Sequence, residues 1–217
     1  MGKVIGIIGE SGSGKTSAMK NLDPATTFYV DCDKKGLNWK GWREQYSSDF
    51  NPPNYWKTDS PTIVLSLLRK LDSDEKFQKV KTVVIDTING VMVAEEMRNA
   101  KVQGYGKWTD LAQYVWEIFD LALTLRDDLT VIIIAHSITD TDDNGIVFTH
   151  IRTNGRKLEK IVLESKLNIV LLAECKDGKY IFRTRADKST CKTPMGMFEE
   201  DEIPNDIVPV LKAMEEY

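Results

Sequence analysis

The chain has 217 residues, 41% of them hydrophobic, which suits one domain with a substantial core, and we predict a single domain over residues 1–217. Its formal net charge of −4 excludes a general attraction to nucleic-acid or membrane phosphates, so any nucleic-acid site must be a local basic patch. Three scattered cysteines exclude a disulfide framework and a zinc site. No apolar run approaches the roughly 18 residues of a membrane span, so we expect a cytoplasmic protein without a membrane partner.

The first element is an apolar strand over residues 3–8, and it leads into the motif G-x-x-x-x-G-K-T at 9–16. Glycines let such a loop turn its N–H groups toward one point, which forms a nest for anions. Lys15 is expected to reach the β- and γ-phosphates, and the Thr16 hydroxyl to ligate Mg²⁺. We predict that residues 17–22 open a helix and that the chain binds a nucleoside triphosphate. The predicted nucleotide-binding residues are Gly9, Glu10, Ser11, Gly12, Ser13, Gly14, Lys15, Thr16 and Ser17.

The remaining chain alternates apolar strands with amphipathic helices. In chain order we predict a strand over 27–33, an irregular segment over 34–58, a helix over about 60–71, a strand over 81–86, helices over about 88–101 and 109–126, a strand over 130–135, strands over 167–174 and 179–185, and a helix over 206–217. Turn signals at 142–145 and 154–155 bracket an alternating run and predict a projecting β-hairpin. Together these elements predict an α/β fold, with a mainly parallel sheet covered by helices on both faces.

Four polar or phosphate-binding positions fall at the carboxyl ends of predicted strands, namely Gly9, Asp33, Asp86 and His136. Ligands of open parallel sheets bind at these ends, so we expect one site. Asp86 closes a buried strand and is predicted to orient Mg²⁺ together with Thr16. The alternative for Asp86 is a cap of the following helix.

Hydrolysis of a triphosphate also needs a group that orients or deprotonates the attacking water. Asp33 is the candidate, because the end of the second strand lies beside the γ-phosphate in one class of phosphate-loop ATPase. Its spacing from Asp31 puts both carboxylates on one strand face, and the alternative is that both are solvated. His136 is the candidate sensor of the γ-phosphate, a role that Ser137 could share. The alternative for His136 is a bond to a backbone carbonyl.

Four segments carry a family resemblance: residues 28–33, 82–87, 134–137 and 186–198, the last with basic residues before Pro-Met-Gly-Met-Phe. The chain resembles the RecA-like ATPase core, and more closely the phage nucleotide-binding proteins of the Sak-type single-strand annealing group and AAA-family nucleotide-binding proteins. Asp33 stands where recombinases carry a glutamate. The resemblance implies ATP and Mg²⁺ as cofactors, and a host-cell cytoplasmic location. It further implies a homo-oligomer in which Lys188 and Lys192 reach the γ-phosphate of a neighbouring subunit.

The resemblance also implies single-stranded DNA as a ligand, with a single-strand-binding protein as a partner. Residues 138–157 would then form the DNA loop, with Arg152, Arg156 and Lys157 contacting phosphates. The alternative is a solvated hairpin, and three aspartates within it oppose DNA binding. We therefore predict an Mg²⁺-dependent ATPase that acts on single-stranded DNA in phage recombination or annealing. A small-molecule or nucleotide kinase and a non-hydrolysing ATP-dependent switch are the alternatives.

Overall fold

A computed structural model of the chain describes residues 3–104, 106–141, 145, 147–154 and 158–216. The strands of the described part are β1 Lys3–Gly9, β2 Thr27–Asp31, β3 Tyr55–Lys57, β4 Thr82–Asp86, β5 Thr130–Thr141, β6 Val147–Ile151, β7 Ile169–Lys176, β8 Lys179–Arg183 and β9 Glu202–Pro204. The α-helices are α1 Trp42–Gln45, α2 Pro61–Ser73, α3 Ile88–Arg98, α4 Gly106–Ala122 and α5 Ile207–Glu216.

The strands form one sheet in the order β3-β2-β4-β5-β1-β7-β8-β9. The six strands from β3 to β7 in this order run parallel, and β8 and β9 continue antiparallel at one edge. The registers place Gly9 opposite His136 and Asp31 opposite Asp86, so the predicted polar positions meet at one edge of the sheet. The predicted α/β fold with a mainly parallel sheet is confirmed.

Helices cover both faces of the sheet. Alternate residues of a strand point to opposite sides, so each central strand contributes side chains to two apolar clusters. β1 sends Val4 and Ile8 into the cluster beneath α2, α3 and α4, and Ile5 and Ile7 into a second cluster. The second cluster holds the buried side chains of α5 and a group of aromatic rings from the segment between β2 and β3. The central strands β1, β2 and β4 are therefore buried on both sides, as their apolar sequences predict, whereas the edge strands β3, β8 and β9 are partly exposed.

Strand β5 is longer than the sequence predicts. Its first residues belong to the parallel sheet, and Ser137–Thr141 pair antiparallel with β6, with Ser137 opposite Ile151 and Thr141 opposite Val147. The two paired strands of the predicted hairpin are thus present, whereas most of its predicted turn at 142–145 lies outside the described residues. A single strand runs from the centre of the sheet out into the hairpin.

The helix predicted after the phosphate loop is wrong in its extent. Only a 3-10 turn over Ser17–Met19 forms there. Pro24 follows within two turns, and the Asp23 carboxylate accepts a hydrogen bond of 2.9 Å from the Ala25 N–H, which fixes a turn instead of a continuing helix. The buried Ala18 and Met19 anchor this turn on the sheet.

Candidate nucleotide-binding site

The phosphate loop has the backbone geometry of an anion nest. Gly12 and Gly14 have φ values of 82° and 90°, in the left-handed region that glycine adopts without steric cost. Lys15 is only 6% exposed, and its ammonium donates to the carbonyl oxygens of Gly9 at 2.8 Å and Glu10 at 2.6 Å. Burial lowers the pKa of Lys15 to about 8, although the Asp86 carboxylate opposes this shift. Lys15, the only cationic residue within the loop motif at 9–16, is therefore hydrogen-bonded to the backbone of the loop itself.

Asp86 lies behind the loop and is 3% exposed. Its Oδ2 atom accepts hydrogen bonds from the Thr16 hydroxyl at 2.7 Å and from the Tyr29 hydroxyl at 2.5 Å. Its Oδ1 atom has no hydrogen-bond partner among the residues that the structure describes. Burial raises the pKa of Asp86, and the bonds from Tyr29 and Thr16 act against that rise. Asp86 is thus a buried carboxylate that is only partly satisfied.

This arrangement fits a magnesium ion. Mg²⁺ prefers oxygen ligands and keeps several waters, so a hydroxyl and a carboxylate in contact are suitable protein donors. Thr16 and Asp86 would hold it, and the partnerless Oδ1 atom is what an ion or its water would satisfy. Tyr29 was not predicted from the sequence. Its hydroxyl reaches Asp86 across two adjacent strands, which sequence spacing does not reveal.

Asp33 and Asp31 have different surroundings. β2 ends at Asp31, whose Oδ2 is buried and accepts bonds from the Tyr55 hydroxyl at 2.6 Å and the Gly36 N–H at 2.8 Å. Asp33 lies beyond the strand end, where its Oδ1 accepts a bond of 3.0 Å from the Thr87 hydroxyl. The expectation that the two carboxylates share a strand face is therefore wrong, because the strand alternation stops between them.

The second oxygen of Asp33 pairs with the Lys35 ammonium at 2.6 Å. Lys35 was not predicted as a site residue. Its position two residues after Asp33 and directly before Gly36 is the local signal that could have indicated it. The candidate base is consequently engaged at both carboxylate oxygens.

His136 lies at the boundary between the sheet and the hairpin. Its backbone N–H donates to the Asn89 Oδ1 atom at 2.7 Å, and the Asn89 amide donates to the Arg152 carbonyl at 2.7 Å. The Arg152 N–H donates back to the His136 carbonyl at 2.8 Å. Burial, followed by the charge of Lys15, lowers the pKa of His136, so its imidazole is neutral at neutral pH. Asn89 was missed from the sequence, because its role depends on this tertiary contact.

A cavity of about 250 Å³ lies at the carboxyl ends of β1, β4 and β5, and Asp86 and Asp33 are hydrogen-bonded to its wall residues Thr16 and Thr87. Its walls include Ser11, Gly12, Gly14, Lys15, Thr16, Ser17, Lys35, Asn38, Thr87, His136 and Tyr180. Tyr180 is about half-exposed and lies against the loop, since a methyl group on Gly14 would come within 2.8 Å of its ring. A neighbouring cleft of about 540 Å³ shares Ser11 and Gly12 and extends to Thr139 and Thr149 of the hairpin. The loop is therefore open on two sides.

The other predicted ligand-binding residues follow β6 in the sequence. Arg152 is exposed and directly follows β6, at the base of the hairpin, whereas Arg156 and Lys157 lie outside the described residues. Lys188 has a φ of 54°, and its carbonyl accepts the Thr149 N–H at 2.8 Å. The backbone of Lys192 pairs with Val170 of β7 in both directions at 2.8 Å. The segment that carries these two lysines is thus bonded to both the hairpin and the main sheet.

A buried carboxylate strengthens this connection. Glu164 is 3% exposed, and its Oε1 atom accepts bonds from the Ile151 N–H at 2.6 Å and the Thr190 hydroxyl at 2.9 Å. It therefore joins the inner end of β6 to the segment between Lys188 and Lys192.

A family model described as an AAA domain matches residues 1–193 of the chain. No curated protein matches it. In the part of the chain that the structure describes, none of the helices combines the length and the apolar character that a membrane span requires.

Proposed function

The chain belongs to the AAA domain family, whose members are P-loop ATPase-like proteins, and on this premise we propose that it is an Mg²⁺-dependent ATPase acting on single-stranded DNA. The proposed setting is recombination or annealing encoded by a phage. The observation that carries the proposal is that Lys15, Thr16 and His136 line one cavity, while Asp86 is hydrogen-bonded to Thr16 and Asp33 to Thr87 in its wall.

Each side chain has a distinct proposed task in hydrolysis. Lys15 leaves the carbonyls of its own loop and neutralises charge on the β- and γ-phosphates. Asp33 accepts a proton from, or orients, the attacking water, and the Thr87 hydroxyl fixes the direction of its carboxylate. His136 donates a neutral hydrogen bond to the γ-phosphate. Mg²⁺, when bound at Thr16 and Asp86, would stabilise the negative charge that develops on the transferred phosphoryl group.

The sheet order supports one orientation of the nucleotide. β5 and β4, which carry His136 and Asp86, lie on one side of β1, so the γ-phosphate and the metal belong to that side. The base must then extend to the other side, toward β7 and β8, where the half-exposed ring of Tyr180 borders the cavity. An aromatic ring in this position offers a stacking surface for a nucleobase.

The DNA part of the proposal rests on the hairpin and its connections. β5 carries His136 at the cavity and continues into the hairpin, so a ligand on the hairpin and a nucleotide in the cavity act on one strand. We propose that Arg152, Arg156 and Lys157 contact DNA phosphates. We further propose a homo-oligomer in which Lys188 and Lys192 reach a neighbouring nucleotide, and a single-strand-binding protein as partner.

The deciding experiment is steady-state ATP hydrolysis with Mg²⁺, with and without single-stranded DNA, using Lys15→Ala as the blank. Stimulation by DNA supports the whole proposal. A hydrolysis rate that single-stranded DNA does not change would reject the DNA role. A small-molecule phosphate acceptor, as used by a kinase, would then be sought. Absence of turnover together with tight ATP binding would instead favour a non-hydrolysing switch.

A second experiment tests the DNA contacts. We expect Arg152→Ala combined with Arg156→Ala to weaken binding of single-stranded DNA and to flatten its salt dependence, since each lost phosphate contact on a single strand lowers the slope by about 0.7. Unchanged affinity and slope in the double variant would remove the DNA site from this region.

A further inference from the structure

We propose that Lys35 is a second phosphate-binding cation, which is paired with Asp33 until a γ-phosphate draws it away and frees Asp33 to act on water. This inference rests on the proposed ATPase function. It adds a residue whose contact depends on the γ-phosphate, and it gives the ion pair between Lys35 and Asp33 a role.

Lys35 belongs to the wall of the cavity. It lines the same walls as Lys15, Thr87 and His136. Its charge interacts electrostatically with Asp86, Lys15 and His136, which are the groups that surround the expected position of the γ-phosphate. A flexible ammonium among these groups can reach a phosphate that occupies the cavity.

The backbone holds Lys35 in place from both sides. Lys34 adopts the left-handed region with a φ of 57°, and its ammonium pairs with Asp59 outside the cavity. Gly36 is also left-handed, with a φ of 81°, and its N–H donates to Asp31 at 2.8 Å. A non-glycine residue persists in this conformation only where its surroundings fix it, and such residues cluster at functional sites. The loop therefore directs Lys35 and Lys34 to different partners.

The contacts of Asp33 supply the switching step. One oxygen accepts the Thr87 hydroxyl at 3.0 Å, and the other accepts the Lys35 ammonium at 2.6 Å. While the Lys35 ammonium holds this oxygen, the oxygen is less available to accept a hydrogen bond from a water molecule. The γ-phosphate competes for the same ammonium with more negative charge. Lys35 leaves Asp33 only when that phosphate is present, and ADP leaves the pair intact.

The experiment measures equilibrium affinities of the full chain for ATP and for ADP, with Mg²⁺, in the wild type and in Lys35→Ala. Lys34→Ala is the matched control, since it removes the neighbouring lysine, which pairs outside the cavity. We expect Lys35→Ala to weaken ATP binding about tenfold and to change ADP binding less than about twofold. Lys34→Ala should match the wild type for both nucleotides. Lys35→Arg should keep the preference for ATP and guards against a folding defect in the alanine variant.

A double-mutant cycle tests the exchange itself. Asp33→Asn removes the competing carboxylate, so we expect it to tighten ATP binding in the wild-type background and to have no such effect beside Lys35→Ala. Equal effects in both backgrounds would reject the exchange. Equal weakening of ATP and ADP by Lys35→Ala, or no weakening of ATP, would reject the phosphate contact while leaving the ATPase proposal in place. A wild type that fails to bind ATP would overturn the proposed function, and this inference would fall with it.

Discussion

The position of Asp33 can be tested without altering its chemistry, by changing Gly90 in the first turn of α3. A methyl group on Gly90 would lie 2.6 Å from the Cys32 carbonyl oxygen and 2.7 Å from Asp33 Oδ1, where ordinary contacts begin at 3.4 Å. Either the helix or the backbone at 32–33 must therefore move by about 0.8 Å, the difference between those distances. The Gly90→Ala substitution is thus expected to shift Asp33, the candidate base, relative to Thr87.

The expected magnitudes follow from this overlap. Overpacking costs about 1–3 kcal/mol, and alanine in a helix returns about 1 kcal/mol relative to glycine, so we expect the free energy of unfolding to fall by about 1 kcal/mol. A misplacement near 1 Å lowers turnover by about a hundredfold. ATP affinity should change little, because Lys15 and Thr16 belong to the loop after β1.

The assay combines urea unfolding, ATP binding and steady-state hydrolysis for Gly90→Ala and for Gly106→Ala. Gly106 is the matched control, since it also lies in a first helical turn but has no described atom within 4 Å of an added methyl group. Gly106→Ala should keep full turnover. A folded Gly90→Ala variant that hydrolyses ATP at the wild-type rate would refute the assignment of Asp33 as the base.

Three further predictions use independent observations. Tyr29→Phe removes a hydrogen bond to the buried Asp86 carboxylate and should lower the free energy of unfolding by about 2 kcal/mol, seen as a lower urea midpoint with an unchanged slope. Tyr180→Ala should weaken ATP binding about tenfold but leave tripolyphosphate binding unchanged, whereas Tyr180→Phe should bind both normally; equal losses for both ligands would argue against base stacking. Cys175 is exposed, and burial raises the pKa of the other two thiols, so mass spectrometry of the native chain after alkylation should show one modified cysteine.

The sequence predicts most of the fold because the signals involved are local. The phosphate loop has a fixed spacing, the buried strands are continuous apolar runs, and the alternating run of the hairpin is bracketed by turn residues at 142–145 and 154–155. The carboxyl ends of these strands then meet by topology, which is why Gly9, Asp86 and His136 could be assigned to one edge.

What the sequence misses depends on tertiary contacts. Tyr29 reaches Asp86 from a neighbouring strand, and Asn89 meets His136 only after α3 packs on the sheet. The short turn after the phosphate loop looks like the start of a helix, because residues 17–22 carry no internal breaker. Lys35 and Asp33 are close in sequence, but their pairing depends on left-handed backbone at Lys34 and Gly36.

The uninterrupted course of β5 has a mechanical consequence. His136 lies where the strand leaves the sheet, and Thr141 lies five residues farther out, about 17 Å away at the usual rise of about 3.4 Å per residue. Residues 137–141 of β5 are paired with β6. At the inner end of this pair, the Asn89 side chain is hydrogen-bonded to the backbone of both His136 and Arg152. A tilt of about 5° at His136 therefore displaces the outer end by about 1.5 Å. Because Thr149 and Ile151 of β6 are bonded to the segment 188–190 and to Glu164, a movement of the hairpin at the phosphate cavity would also be passed to the segment that carries Lys188.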